Sequence, residues 1–181
     1  ANYEYISVTN LRTNLMAYSA SPFVVTYSPM GDNSFRPKSV FTSGNPFGNP
    51  SLARDVVIAD INRDGKPDLV VANSDRTICI FPNQTTSITA VASFGPAITL
   101  GISVGSIKSA VIVNDFDGDG MQDIATMHSG GSSVQVYRNS TYITGGTPSF
   151  NTSHVFITGF NPSIIGAGDL DNNGKTDLIV A

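Results

Sequence analysis

Cysteine is almost absent from this 181-residue chain: Cys79 stands alone, so no disulfide can form within it. Its surroundings, Thr77-Ile-Cys-Ile-Phe81, read as a strand in which a lone thiol acts as a small, partly buried hydrophobe rather than a nucleophile. Basic residues are also scarce; ten lysines and arginines are scattered along the chain, which excludes a nucleic-acid footprint. No apolar run approaches the ~18 residues of a membrane helix, so no membrane insertion is expected within this segment. The two histidines, His128 and His154, have no Cys, Ser or acidic partner at a catalytic spacing; surface or strand-end roles are expected, and no enzyme activity. Helical periodicity is missing, and the stretches Ser129-Gly-Gly131 and Gly145-Gly146 open no helix that would cradle a phosphate; they are turn material. No signal-peptide pattern opens the chain, and Ala1 is not a methionine, so a processed form or a fragment is expected.

What the chain does have is acid, concentrated in three loops of one design. These are Asp60-Ile-Asn62-Arg-Asp64-Gly65-Lys-Pro-Asp68, Asp115-Phe-Asp117-Gly-Asp119-Gly120-Met-Gln-Asp123 and Asp169-Leu-Asp171-Asn-Asn173-Gly174-Lys-Thr-Asp177. They hold ten of the fourteen acidic residues, with Asp or Asn at positions 1, 3 and 5, Gly at 6 and Asp at 9. Carboxylates packed so closely repel one another unless a cation neutralises them. Hard oxygens at alternate positions, with a glycine at the sharp turn, suit Ca²⁺. Three such ions would move the formal charge from −4 to +2, so no acidic docking surface is implied.

The loop starts lie 55 and 54 residues apart, which makes the loop part of a structural repeat. Short apolar runs flank each one: 55–59 and 68–72, 109–113 and 123–127, 163–167 and 177–181. A third strand follows at 77–81 and 133–137, then a Ser-Phe pair (Ser93-Phe94, Ser149-Phe150) and a fourth strand at 97–100 and 154–158. The N-terminal segment fits the same template, with strands at 5–8, 14–18, 23–27 and 38–42 around Ser34-Phe35, although its Thr9–Thr13 link lacks the acids. The expected fold is therefore all-β: a β-propeller segment of four-stranded antiparallel blades, about three blades plus half of another. The units are a metal-free blade over 1–50, blades over 51–104 and 105–160, and a half blade over 161–181. A chain stopping mid-blade would leave an unpaired strand edge, so part of a longer propeller is expected.

These residues resemble the FG-GAP (VCBS-type) repeat, the blade unit of integrin α-subunit propellers and of many secreted proteins. The resemblance is carried by Phe94-Gly95, by Asp115 to Ile124 and by the stretch from Asp64 to Asn73. It departs from the integrin branch where Phe35 precedes Arg36 and Phe150 precedes Asn151, and where Val71-Ala-Asn73 and Thr126-Met-His128 replace Gly-Ala-Pro. The resemblance implies up to three Ca²⁺ ions, each held by side chains at positions 1, 3, 5 and 9 and by the position-7 carbonyl. The implied ligands are Asp60, Asn62, Asp64, Asp68 and the Lys66 carbonyl; Asp115, Asp117, Asp119, Asp123 and Met121; Asp169, Asp171, Asn173, Asp177 and Lys175. With four carboxylates against three, the second loop is expected to bind most tightly.

An EF-hand begins in the same way but places an acidic ligand at position 12 inside a helix. Position 12 is Val71, Thr126 or Val180 here, each in a β-type run, so that reading fails. Metal-free Asx turns would explain one loop more easily than three. Asn83-Gln-Thr85, Asn139-Ser-Thr141 and Asn151-Thr-Ser153 match the N-glycosylation pattern, the first two just after a third strand where an exposed loop is expected. Phe35, Phe94 and Phe150 recur at one place in the repeat, which suits blade-to-blade packing. The family resemblance and the sequons together imply a secreted or cell-surface, calcium-binding, non-enzymatic scaffold for adhesion or for a protein or glycan ligand. The alternative is an accessory propeller of a larger secreted hydrolase or lyase.

Overall fold

The computed structural model describes residues 7–10, 15–18, 53–87, 92–101, 106–129, 132–151, 153–159 and 162–181. The chain divides into two compact units, 1–40 and 41–181. In the first, β1 (Ser7–Asn10) pairs antiparallel with β2 (Leu15–Tyr18), Ser7 opposite Tyr18. The strands expected at 23–27 and 38–42, and Ser34-Phe35 between them, lie outside the described residues.

The second unit is built from antiparallel sheets whose strands follow chain order. One contains β3 (Ala53–Ala59), β4 (Asp68–Asn73), β5 (Thr77–Phe81) and β6 (Ile98–Gly101). The next contains β7 (Ser106–Asn114), β8 (Asp123–Ser129), β9 (Ser133–Tyr137) and β10 (His154–Ile157). A two-stranded sheet of β11 (Ile165–Gly168) and β12 (Asp177–Val180) follows. No helix occurs among the described residues, and sheets of four, four and two repeat the blade pattern.

The nearly continuous apolar runs resolve into two faces. β-Branched residues favour the extended chain, and its period of two sends neighbours to opposite sides. Val70, Ala72, Ile78 and Ile80 of the first four-stranded sheet meet Val111, Ile124 and Tyr137 of the second. The intervening residues Val71, Cys79 and Phe81 form a separate cluster with Leu69 and Phe94. On the second sheet, Ala125 and Val134 pack against Ile165, backed by Leu178 and Val180. The inner strands thus bury apolar side chains on both faces, which explains why their sequences show no polar alternation. Every fully buried aliphatic contributes roughly 1.5–3 kcal/mol. Phe150 packs into the seam between the four-stranded sheets, and Cys79 is fully buried.

Polar bonds also cross that seam. Val111 N, beside an irregularity in the β7–β8 register, donates to Asp55 Oδ2 at 2.9 Å. The Tyr137 hydroxyl donates to the Gly101 carbonyl at 3.0 Å, and burial pushes its pKa up to about 12.

Candidate metal centre

All three acidic loops join the first strand of a sheet to its second, so they recur at the same end of the sheets. Two left-handed residues shape each loop. Position 6 is Gly65, Gly120 or Gly174, each at φ 81°. Position 4 is Arg63 (φ 59°), Gly118 (81°) or Asn172 (60°). Glycine tolerates this region and asparagine visits it readily, whereas the arginine is strained there.

The turn folds amides inward onto the side-chain oxygens. In loop 1, Gly65 N donates to Asp60 Oδ2 at 2.9 Å, and Asp64 N to Asp60 Oδ1 and Asn62 Oδ1 at 3.1 Å each. Loop 2 repeats this with Gly120 N and Asp119 N on Asp115 and Asp117. Loop 3 does so with Gly174 N and Asn173 N on Asp169 and Asp171. The position-5 side chains Asp64, Asp119 and Asn173 accept the position-7 amides of Lys66, Met121 and Lys175 at 2.8–2.9 Å.

Position 9 behaves differently. Asp68 and Asp123 are buried at 0% and 1% exposure, and each carboxylate is gripped on both oxygens. Asp68 accepts Ile61 N on Oδ2 (2.9 Å) and Asn83 N on Oδ1 (2.7 Å); Asp123 accepts Phe116 N (3.0 Å) and Asn139 N (2.7 Å). Position 9 therefore latches the loop to the chain leaving the third strand. Burial raises both carboxyl pKa values above the ordinary Asp value, the two amides on each pull them down, and nearby loop aspartates add to the rise.

Two groups of carboxylates converge. Asp115, Asp117 and Asp123 each offer an oxygen within 4.8 Å of the others, as do Asp169, Asp171 and Asp177. In loop 1, Asn62 supplies an amide oxygen at position 3 in the same hydrogen-bonding role as Asp117 and Asp171. Asp119 is outside its loop's converging trio, and its Oδ2 faces Arg138. All-oxygen donor sets of this kind have the chemistry to hold a hard divalent cation.

The FG-GAP-like repeat matches this sequence over residues 60–126 and again over 115–180. The chain belongs to that family. No match is found among curated proteins. An FG-GAP-like repeat accounts for the loop, the strand on either side and the spacing of the sheets, and it makes this protein a β-propeller-like scaffold. The strands β4, β8 and β12 run through Val71, Thr126 and Val180, where an EF-hand would have a helix.

Two expectations need correction. Asn139 is 1% exposed, and its Nδ2 donates to the carbonyls of Ile61 and Gln122 at 2.9 Å each, so this sequon is no exposed loop. His128 takes the strand-end place expected of it, near the end of β8 and paired in register with Ser133, but it is fully buried there, so the surface alternative fails. Three features escaped the sequence reading. The asparagines Asn83 and Asn139 are latches for position 9. Position 2 carries an apolar plug: Ile61 and Phe116 pack into the seam clusters, although Leu170 is exposed. Arg138 also leans onto loop 2. The apolar side chain at position 2 of every loop was a readable signal; the arginine left none.

Proposed function

We propose that the second unit is a calcium-stabilised, non-enzymatic, extracellular propeller segment serving as an adhesion or ligand-binding scaffold for a protein or a glycan. The observation that supports this reading is the threefold repetition of one oxygen-lined loop, with the same amides folded onto the same oxygens. In this reading the ion neutralises the loop and fixes the first strand to the second, and the ligand meets other loops. Positions 1, 3, 5 and 9 supply side-chain oxygens and position 7 a carbonyl, as the family pattern implies.

Elemental analysis and thermal melting, with and without chelator, test the metal. Bound calcium and a melting temperature lowered by chelation are expected; no metal and an unchanged melt would remove the reading. A glycan and matrix-protein binding screen then tests the scaffold role. Binding that disappears with chelator while the fold persists would put the ion in the ligand site instead.

A further inference from the structure

Loop 2 carries one contact that the repeat does not require. Arg138 follows β9 directly and reaches back over the loop, its Nε against Asp117 Oδ2 and its Nη2 3.3 Å from Asp119 Oδ2. The other oxygen of each carboxylate is already engaged by backbone. Asp117 Oδ1 accepts Asp119 N at 3.1 Å, and Asp119 Oδ1 accepts Met121 N at 2.8 Å. Both oxygens of Asp115 and both of Asp123 accept amides as well. The guanidinium thus sits on the two oxygens that the loop's own amides leave open, on two residues that the family pattern assigns to the ion.

Loop 1 lacks this device. Pro82 precedes Asn83 where Arg138 precedes Asn139. The nearest cation to Asp64 is Lys66 of the same loop, at 3.9 Å, and no ion pair involves loop 3 among the described residues.

We propose that Arg138 is a built-in counter-cation of loop 2. It neutralises Asp117 and Asp119 while the loop holds no metal, and releases both oxygens when calcium enters. The inference rests on the calcium reading of the loops given above. It opposes the simple charge count, because the loop with most carboxylates also carries its own competitor. An exposed, fork-shaped ion pair is a modest rival, so the effect is severalfold rather than many orders of magnitude.

Calcium titration of the full chain, labelled with ¹⁵N, tests this site by site through the amides of Gly65, Gly120 and Gly174. In the wild type, the Arg138 Nε–H signal is expected to shift along the Gly120 isotherm. Arg138→Gln should tighten that isotherm roughly three- to tenfold and leave Gly65 and Gly174 unchanged. Arg138→Lys, which keeps the charge but loses the fork, should fall between. In chelator, Arg138→Gln should broaden the Gly120 signal alone. An Arg138→Gln protein whose Gly120 isotherm is unchanged or weaker, with all three glycines still saturating, would overturn the proposal and leave calcium binding intact. If no glycine responds to calcium in the wild type, the calcium reading itself fails and the proposal falls with it.

Discussion

Asn139 donates from Nδ2 to the Ile61 carbonyl at 2.9 Å, reaching from the end of one sheet's third strand into the acidic loop of its neighbour. The same nitrogen donates to Gln122 O, and Oδ1 accepts Thr141 N, so one buried side chain ties two loops and a turn together. Asn83 holds the equivalent place in the first sheet, bonding Pro67 O and Thr85 N. Removing a buried amide strands its partners without water. Asn139→Ala is expected to cost roughly 3 kcal/mol and Asn83→Ala about 1 kcal/mol. Urea denaturation of both variants checks the difference; equal losses would mean the bond across the seam carries no weight.

Asp68 and Asp123 at position 9 each accept an N–H on both oxygens, an arrangement an amide cannot copy because one of its ends is itself a donor. Asp68→Asn, though isosteric, should therefore destabilise the protein by roughly 1–3 kcal/mol. The loss should persist in chelator, since the latch is made of protein groups alone. A residue acting as a metal ligand alone would show its loss only with calcium present, and the same denaturation series distinguishes the two.

Burial raises Asp68 and Asp123 above the ordinary Asp pKa of 3.8. An acid whose folded pKa exceeds its unfolded value leaves the folded state holding more protons between the two, so stability falls as pH rises through that window. In chelator, these residues should contribute most at low pH and lose that contribution as pH climbs from 3.8 through the raised values. Bound calcium favours the charged form and should reverse the sign. Melting curves against pH check this, using the difference between wild type and Asp123→Asn to isolate one titrating group.

Gly118 and Gly120 share φ 81° but should differ in what they tolerate. An added Cβ meets nothing within 4 Å at either position, so only backbone strain counts. Gly120→Ala should cost roughly 1–2 kcal/mol. Gly118→Asn should be nearly neutral, because Asn172 already occupies position 4 of loop 3 at φ 60°. Thermal melting of the two variants decides it.

The strands and loop oxygens were legible because both are local. A run such as Val56-Val-Ile58 favours an extended chain wherever it is placed, and acids at alternate positions need only a turn to converge. The contacts between sheets were not legible. Asn139 and Ile61 are 78 residues apart, and their bond depends on how the sheets stack. Asn139-Ser-Thr141 matched an acceptor sequon because an Asx turn uses the same spacing: the asparagine oxygen takes the amide two residues on. His128 does sit near the end of β8, one of the two places expected of it, but neighbouring structure covers it completely.

Position 2 of the loops offers the sharpest test of how the acidic turns join the core. Ile61 is fully buried in the seam cluster while its amide donates to Asp68 and its carbonyl accepts Asn139. One residue therefore couples the loop's latch, the neighbouring sheet and the hydrophobic interior. Leu170 holds the same position in loop 3 and makes the same amide bond, to Asp177 at 2.9 Å, yet is 68% exposed. The backbone role is shared and the packing role is not, so truncating each side chain separates the two. Ile61→Ala should cost roughly 2–5 kcal/mol through lost burial and a cavity in the seam. Leu170→Ala should change stability by less than about 0.5 kcal/mol in this chain. Matched losses in denaturant would show that position 2 acts through the turn itself; a large loss at Ile61 alone would show that the loop is held from the neighbouring sheet.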